Sequence, residues 1–181
     1  VLDSTGSMGG LIEGAKTKIW SIANTIVASR IAAEGRIGLI TYRDVGDQYV
    51  TLRHDMNDDF DTVFRDLRSF RANGGGDGPE SVNQALNEAV RLMSWTPRSD
   101  VLKIIFLVGD APPHMDYQHD VPYRQTCAEA VQAGLIINTV QCGNHGETRQ
   151  VWQEIARLGE GSYVALGQTG NMTTIATPYD K

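Results

Sequence analysis

The sequence lacks features that would identify several common classes of protein. It has only two cysteines, Cys127 and Cys142, and it contains no CxxC or HExxH spacing, so the cysteines do not form a zinc site by themselves. No apolar run approaches the roughly 20 residues that span a bilayer. The longest run, from Ile104 to Val108, has the length of a strand. The cysteines are therefore predicted to be small buried apolar residues.

An excess of basic residues is also missing. The chain has 16 Lys and Arg against 22 Asp and Glu, which gives a formal net charge of −6. Binding to nucleic acid or to an anionic membrane by charge alone needs a basic face, so this balance argues against both partners. The composition instead predicts a cation as the electrostatic ligand.

What is present is the composition of one globular domain. The chain has 181 residues, of which 41% are hydrophobic and 21% are charged. We expect a single domain over residues 1–181. Val1-Leu2-Asp3 has the pattern of the end of a strand, so we also expect the first strand to be truncated and the chain to be a piece of a longer protein.

Strands and helices alternate along nearly the whole chain. The segment Val101–Val108 is apolar almost throughout, which is typical of a parallel strand covered by helices on both faces. The segments Arg36–Arg43 and Tyr49–Arg53 are close enough to form an antiparallel hairpin. The order predicts an α/β fold with a doubly wound, mostly parallel six-stranded sheet, one antiparallel edge strand and helices on both faces. Helices are predicted at 11–27, 80–93, 121–133 and 147–158, and another, capped by Asn57-Asp58-Asp59, runs to about Ser69. Further strands are predicted at 135–141 and 162–166.

Three loops that follow strands or precede helices are rich in oxygen-bearing side chains. They are Asp3–Met8, Gly74–Ser81 and Gly109–His114. Ligands of such sheets bind at the carboxyl ends of the strands. Two carboxylates about 4 Å apart repel by roughly 4 kcal/mol at an effective dielectric constant of 20. Convergence of these loops therefore predicts a hard divalent cation with oxygen ligands.

One hydroxyl-rich motif and one later aspartate carry a resemblance to a known family. Asp3-x-Thr5-x-Ser7 follows the first strand, and Asp110 follows the central strand. This pattern resembles the von Willebrand factor type A domain with its metal-ion-dependent adhesion site, over nearly the whole chain. The resemblance implies a Rossmann-like fold and a site for Mg²⁺, or alternatively Ca²⁺ or Mn²⁺, with Asp3, Thr5, Ser7 and Asp110 as ligands.

The middle loop departs from the family pattern because no threonine precedes its helix. Counting back from Ala85-Leu86 places Glu80 at the threonine position. Asp77-Gly78-Pro79-Glu80 resembles the Asp-x-Pro-Glu loop of integrin β-subunit domains, in which the glutamate reaches the metal. The resemblance implies that Glu80 is a ligand and that the extra carboxylate shifts preference toward Ca²⁺. Asp77 has two possible roles. It could support the metal ligands or bind an adjacent metal, or it could be only a turn residue among the glycines.

A polar cluster follows Asp110 and leaves three interpretations open. It could bind a second metal, shape a ligand surface or be a solvated loop. The cluster comprises His114, Asp116, His119 and Asp120.

The resemblance implies a binding module without enzymatic activity. The cation keeps one coordination position for water or for an Asp or Glu carboxylate of a partner protein, which serves adhesion or assembly. His114, Met115 and Tyr117 are expected to supply the surrounding contact surface. Neither a nucleic-acid partner nor membrane insertion of the domain is expected.

The alternative is a metal-dependent phosphotransfer enzyme or hydrolase with Asp3 as nucleophile. Thr5 occupies the position where that chemistry usually has a second aspartate, and no lysine lies in the loops around Glu80 and Asp110.

The location is also an expectation from resemblance. The segment from Gly109 to His114 and Cys142-Gly143 are similar to those of bacterial type A domain proteins, many of them exported. This similarity predicts a periplasmic, cell-surface or secreted protein.

The register of the middle loop generates a first prediction. Glu80→Ala should weaken metal affinity in calorimetry far more than Asp77→Ala does. The reason is that losing a direct carboxylate ligand removes both charge and a coordinating oxygen, whereas a supporting residue usually accounts for about 10- to 100-fold. A larger loss in Asp77→Ala would show that the assigned register is wrong.

Overall fold

A computed structural model describes residues 1–28, 35–76, 78–166 and 172–173. Asp77, residues 29–34 and most of the tail after Leu166 lie outside the described residues. Within these ranges, seven strands form one sheet. They are β1 (Leu2–Asp3), β2 (Ile37–Tyr42), β3 (Thr51–Asn57), β4 (Lys103–Gly109), β5 (Leu135–Cys142), β6 (Glu160–Leu166) and β7 (Met172–Thr173).

Five α-helices connect these strands in the described part of the chain. A short 3₁₀ helix, Gly6–Gly10, precedes the first of them and continues the loop after β1. The α-helices are α1 (Ile12–Ala28), α2 (Phe60–Ser69), α3 (Val82–Arg91), α4 (Tyr123–Gln132) and α5 (Gly146–Leu158). No helix among the described residues is long and apolar enough to cross a membrane.

The strand order confirms the predicted doubly wound sheet. The order is β3-β2-β1-β4-β5-β6-β7, in which β1, β2, β4, β5 and β6 are parallel. β3 pairs antiparallel with β2 at one edge, as the hairpin predicted. β7 pairs antiparallel with β6 at the other edge of the sheet. Its two residues are too few to show the alternation of apolar and polar residues that identifies a strand in a sequence. β1 therefore lies inside the sheet, between β2 and β4.

Two apolar layers cover the faces of the sheet. One contains Trp152 and Leu86 and packs β4 and β5 against α3, α4 and α5. The other contains Met8 and Leu67 and packs the sheet against α1 and α2. Because β4 contributes alternate side chains to both layers, its continuous apolar sequence is explained by burial on two sides.

The thiols of Cys127 and Cys142 follow the prediction, since both are buried and free in the described structure.

The helix predicted from residue 80 begins two residues later, at Val82. Glu80 instead forms an isolated parallel bridge with Pro113. Its N–H donates to the Pro112 carbonyl at 2.9 Å, and its own carbonyl accepts from the His114 N–H at 3.0 Å. These bonds hold Glu80 in extended backbone at the carboxyl ends of the strands, so the middle loop lies against the loop after β4.

The close contact between β5 and β6 generates a stability prediction. A Cβ atom at Gly161 would collide with the carbonyl oxygen of Ile137, whereas a Cβ at Gly14 in α1 would meet nothing within 4 Å. Gly161→Ala should lower the free energy of unfolding by about 1–3 kcal/mol. Gly14→Ala, the matched control, should raise it by about 0.5–1 kcal/mol because alanine favours helix. Urea denaturation measures both, and equal midpoints for the two variants would contradict the packing described.

Candidate metal centre

Asp3 is the last residue of β1 and is completely buried, with 0% exposure. Its Oδ1 atom accepts two hydrogen bonds from Thr5, one from the backbone N–H at 2.9 Å and one from the hydroxyl at 2.7 Å. Its Oδ2 atom is buried and has no hydrogen-bond partner among the described residues. One carboxylate oxygen therefore organises the loop, and the other is available to a ligand.

A chain of hydroxyl groups links Asp3 to the loop after β4. Thr5 Oγ1 lies 3.0 Å from Ser7 Oγ, and Ser7 Oγ donates to Asp110 Oδ1 at 2.9 Å. The fold therefore brings together the four side chains that the sequence motif selected at positions far apart in the chain.

Glu80 reaches the same place from the middle loop and is only 2% exposed. A Cβ atom at Gly75 would lie 3.0 Å from Glu80 Oε1 and 3.2 Å from Thr5 Cβ, so the glycine runs directly past both side chains. Gly75 also has a φ of +78°, which favours glycine. Glu80 Oε2 is buried and unpartnered within the described structure. The predicted position of Glu80 beside the Asp3 loop is thus observed.

Backbone hydrogen bonds and one buried guanidinium group hold these loops together. The Gly6 N–H donates to the Gly74 carbonyl at 2.9 Å, and the Asn73 N–H donates to the Ser4 carbonyl at 3.0 Å. Arg43 is buried, and its Nε donates to the same Ser4 carbonyl at 3.2 Å. The glycine loop is therefore fixed against the loop that carries the hydroxyl groups.

Sequence reasoning missed two aspartates that support the site. Asp44 is buried and accepts hydrogen bonds from the Ser81 hydroxyl at 3.0 Å and the Tyr117 hydroxyl at 2.9 Å. Asp47 accepts from the Gly75 N–H at 2.8 Å. The local pattern indicates only a turn at both positions. Their place directly after a parallel strand is the signal that could have found them.

The segment after Asp110 differs from the contact surface that was expected. His114 is buried, its Nδ1 lies 2.8 Å from Asp116 Oδ1, and its ring stacks on Tyr117 with centroids 4.0 Å apart. The His114 carbonyl accepts from the Asn83 amide at 2.6 Å. The two rings pack against their own domain, whereas Met115 between them is 54% exposed. His114 is therefore a structural residue and not an exposed contact.

A second metal at this cluster has no support from the geometry. Nowhere in the described ranges do three His, Cys, Asp or Glu side chains come together as a group able to hold a metal ion on their own. The described carboxylates of the candidate centre form no such group of three either, so the hydroxyl groups of Thr5 and Ser7 are part of the candidate donor set.

The carboxyl groups of the centre have raised pKa values. Burial raises the pKa of Asp3 from its ordinary value to about 7, and the negative charge of Asp110 adds to the effect. Burial also raises the pKa of Glu80, to about 8, with further contributions from Asp3 and Asp44. Burial raises the pKa of Asp110 as well. A cation at this point would relieve the repulsion and the desolvation together.

The donor set fits a hard divalent cation. The free oxygens of Asp3 and Glu80, the hydroxyls of Thr5 and Ser7 and the carboxylate of Asp110 are all oxygen ligands, which Mg²⁺, Ca²⁺ and Mn²⁺ prefer. When bound, the cation supplies a positive charge and a coordination position that a further oxygen can occupy.

The family follows from comparison with known proteins. The sequence model of the von Willebrand factor A domain matches residues 1–177, and the chain belongs to that family. The resemblance carried by Asp3, Thr5, Ser7 and Asp110 is thereby confirmed at the level of the family.

Two sequence relatives are much longer proteins. A putative ariadne-like RING finger protein of Acanthamoeba polyphaga mimivirus is 32% identical over 117 residues, which is 63% of this chain and 11% of that protein. The alpha-protein kinase vwkA of Dictyostelium discoideum is 28% identical over 126 residues, which is 67% of this chain and 19% of the kinase. The chain therefore matches only a small part of the length of these relatives.

Solved structures share the fold at low sequence identity. Proximal thread matrix protein 1 from the mussel byssus, in a structure with a zinc-occupied MIDAS motif, matches with a TM-score of 0.72 and 14% identity over 93% of this chain and 40% of that chain. The SpRpn10 VWA domain matches with a TM-score of 0.67 and 14% identity over 92% of this chain and 85% of that chain. These matches show the fold alone.

The raised pKa values predict how stability depends on pH in the absence of metal. Asp3 and Glu80 hold protons in the folded state to about pH 7 and about pH 8, whereas the unfolded chain releases them near pH 4. The free energy of unfolding should therefore fall as pH rises from 5 to 8, by at most about 1.4 kcal/mol per pH unit for each group. Urea denaturation in EDTA at several pH values measures the slope.

Asp3→Asn provides the matched control for this pH dependence. The amide keeps the shape of the side chain and does not titrate, so the slope should become shallower. An unchanged slope in Asp3→Asn would contradict the assignment of the raised pKa to this carboxyl group.

Proposed function

We propose that the domain is a metal-dependent protein-binding module for adhesion or assembly. The observation that carries the proposal is the chain of hydrogen bonds from Asp3 through Thr5 and Ser7 to Asp110, with two buried carboxylate oxygens left unpartnered beside it in the described structure. Membership of the von Willebrand factor A family and the zinc-occupied motif of a protein with the same fold support the proposal. The proposed ligands are Asp3, Thr5, Ser7, Glu80 and Asp110, while Asp77 stays a sequence-based prediction.

The proposed cation is Mg²⁺, with Ca²⁺ or Mn²⁺ as alternatives. Oxygen ligands favour these ions over softer metals. Mg²⁺ commonly keeps several waters when a protein binds it, so a position that a partner can take is chemically reasonable. The third carboxylate, Glu80, adds negative charge and favours the larger Ca²⁺ more than the remaining ligands would alone.

The proposed partner is a protein that presents an Asp or Glu carboxylate. An oxygen of this carboxylate would complete the coordination of the cation. Because the contact is made to the metal, the two proteins would not form it when the metal is absent. The described loops after β2 and β4 each carry an exposed apolar side chain, Val45 at 58% exposure and Met115 at 54%. The bond between Tyr117 and Asp44 joins their two loops. We propose that Met115 and Val45 contact apolar atoms next to the partner's carboxylate.

The enzyme alternative is disfavoured by the burial of its nucleophile. Asp3 is 0% exposed, and one of its oxygens already accepts two hydrogen bonds from Thr5. The buried lysines bond elsewhere, Lys16 to the Phe70 carbonyl and Lys103 to the Ala133 carbonyl. A periplasmic, cell-surface or secreted location stays a prediction from the sequence.

Selection from a displayed library of random peptides tests the proposal even though the partner is unidentified. Peptides selected on the domain in Mn²⁺ should share an Asp or Glu, be released by EDTA and fail to bind when that residue is changed to its amide. Asp3→Ala, which removes a proposed ligand, should select no such peptides while its circular dichroism spectrum stays nearly unchanged. Asp100→Ala is the matched control, because Asp100 is exposed and pairs with Arg98.

Two results would reject this function. Selected peptides could bind equally well in EDTA, which would exclude a metal-completed contact. The purified domain could also hydrolyse a phosphate or ester substrate with a rate that disappears in Asp3→Asn, which would favour the enzyme alternative.

A further inference from the structure

Tyr42, the last residue of β2, has a hydroxyl group that the fold leaves without a partner. The side chain is 0% exposed, and its Oη atom makes no hydrogen bond to any described residue. The backbone of Tyr42 is well paired, since its carbonyl accepts from the N–H of Ser4 at 3.0 Å and from the Ser4 hydroxyl at 3.1 Å. A phenylalanine would fill the same space without burying an unpaired polar group. The hydroxyl therefore calls for an explanation.

The hydroxyl lies beside the unpartnered oxygen of Asp3. A Cβ atom at Gly109 would collide with Tyr42 Oη and would lie 3.0 Å from Asp3 Oδ2, so the two polar atoms border the same small space. Gly109 keeps that space open because it has no side chain. Burial raises the pKa of the Tyr42 hydroxyl, and the negative charges of Asp3, Asp110 and Glu80 raise it further. The Tyr42 hydroxyl thus lies next to the Asp3 carboxylate of the candidate metal centre.

We propose that Tyr42 is a positioning residue of the metal centre, whose hydroxyl donates a hydrogen bond to Asp3 Oδ2, directly or through one water, when the cation is bound. The inference rests on the proposed function, since it assigns a partner to Tyr42 only in the metal-loaded domain. A tyrosine hydroxyl can donate, and a carboxylate can accept at both oxygens. Groups that hydrogen-bond to a metal ligand fix its orientation and contribute to affinity.

A hydrogen bond from the Tyr42 hydroxyl to Asp3 accounts for three observations together. It explains why a polar side chain is tolerated in a buried position and why a glycine stands at position 109. It also explains why one oxygen of Asp3 is left free while the other accepts two hydrogen bonds. In the metal-free fold the described residues supply no hydrogen-bond partner for this hydroxyl.

Tyr42→Phe separates the two roles because they predict opposite effects. Calorimetric titration with Mn²⁺ and with Mg²⁺ should show an affinity at least about tenfold lower than that of the unchanged domain. Urea denaturation in EDTA should show an unchanged or higher midpoint, because the variant removes an unpaired buried hydroxyl. Tyr123→Phe is the matched control. Its hydroxyl donates to Glu154 at 2.9 Å and joins α4 to α5, so the change should lower the midpoint and leave metal affinity unaltered.

The outcomes distinguish this inference from the function on which it rests. If the unchanged domain binds neither ion, the proposed function fails and the inference fails with it. If the unchanged domain binds metal and Tyr42→Phe binds equally well, only the inference is overturned. A lower midpoint for Tyr42→Phe in EDTA would also overturn it, because the hydroxyl would then be stabilising the metal-free fold.

Discussion

Two carboxyl groups, those of Asp3 and Glu80, are almost wholly excluded from water. The structure around them has to offset the free-energy cost of their burial. Charged groups are costly to bury unless they are paired or bind a metal. The Thr5 N–H and hydroxyl satisfy one oxygen of Asp3, and Gly75 lets the chain pass close to Glu80. The buried guanidinium of Arg43 holds the loop backbone in place without forming an ion pair to either carboxylate in the described structure. The remaining negative charge is what a divalent cation would neutralise.

The parts of this arrangement that depend on local pattern could be predicted from the sequence. The apolar run Val101–Val108 identified the central strand because burial on both faces leaves a continuous signal. The positions of Asp3 and Asp110 followed from the rule that residues after parallel strands meet at one edge of the sheet. The position of Glu80 was implied by the resemblance to the family pattern, in which its spacing to Ala85-Leu86 places it at the threonine position. The inferences about Asp3 and Asp110 needed only the order of elements and the direction of the strands.

The parts that depend on contacts between distant segments could not be predicted. The bridge between Glu80 and Pro113 delays the start of α3, and no residue near Glu80 in the sequence signals it. The buried position of His114 involves distant segments, because the Asn83 amide donates to its carbonyl at 2.6 Å and its Nε2 lies 3.6 Å from Asp44 Oδ2. The proximity of Tyr42 to Asp3 depends on the register of β1 against β2 and on the missing side chain at Gly109. Periodicity carries no information about any of these.

A crystal structure of the domain grown with MnCl₂ would locate the bound cation, because anomalous scattering identifies manganese without reference to any expected ligand. We expect a single strong anomalous peak at the carboxyl ends of β1 and β4, within coordination distance of Ser7 and of at least one carboxylate among Asp3, Glu80 and Asp110. A structure with no peak at that position at saturating Mn²⁺, with the hydrogen bonds between Thr5, Ser7 and Asp110 intact, would contradict this expectation.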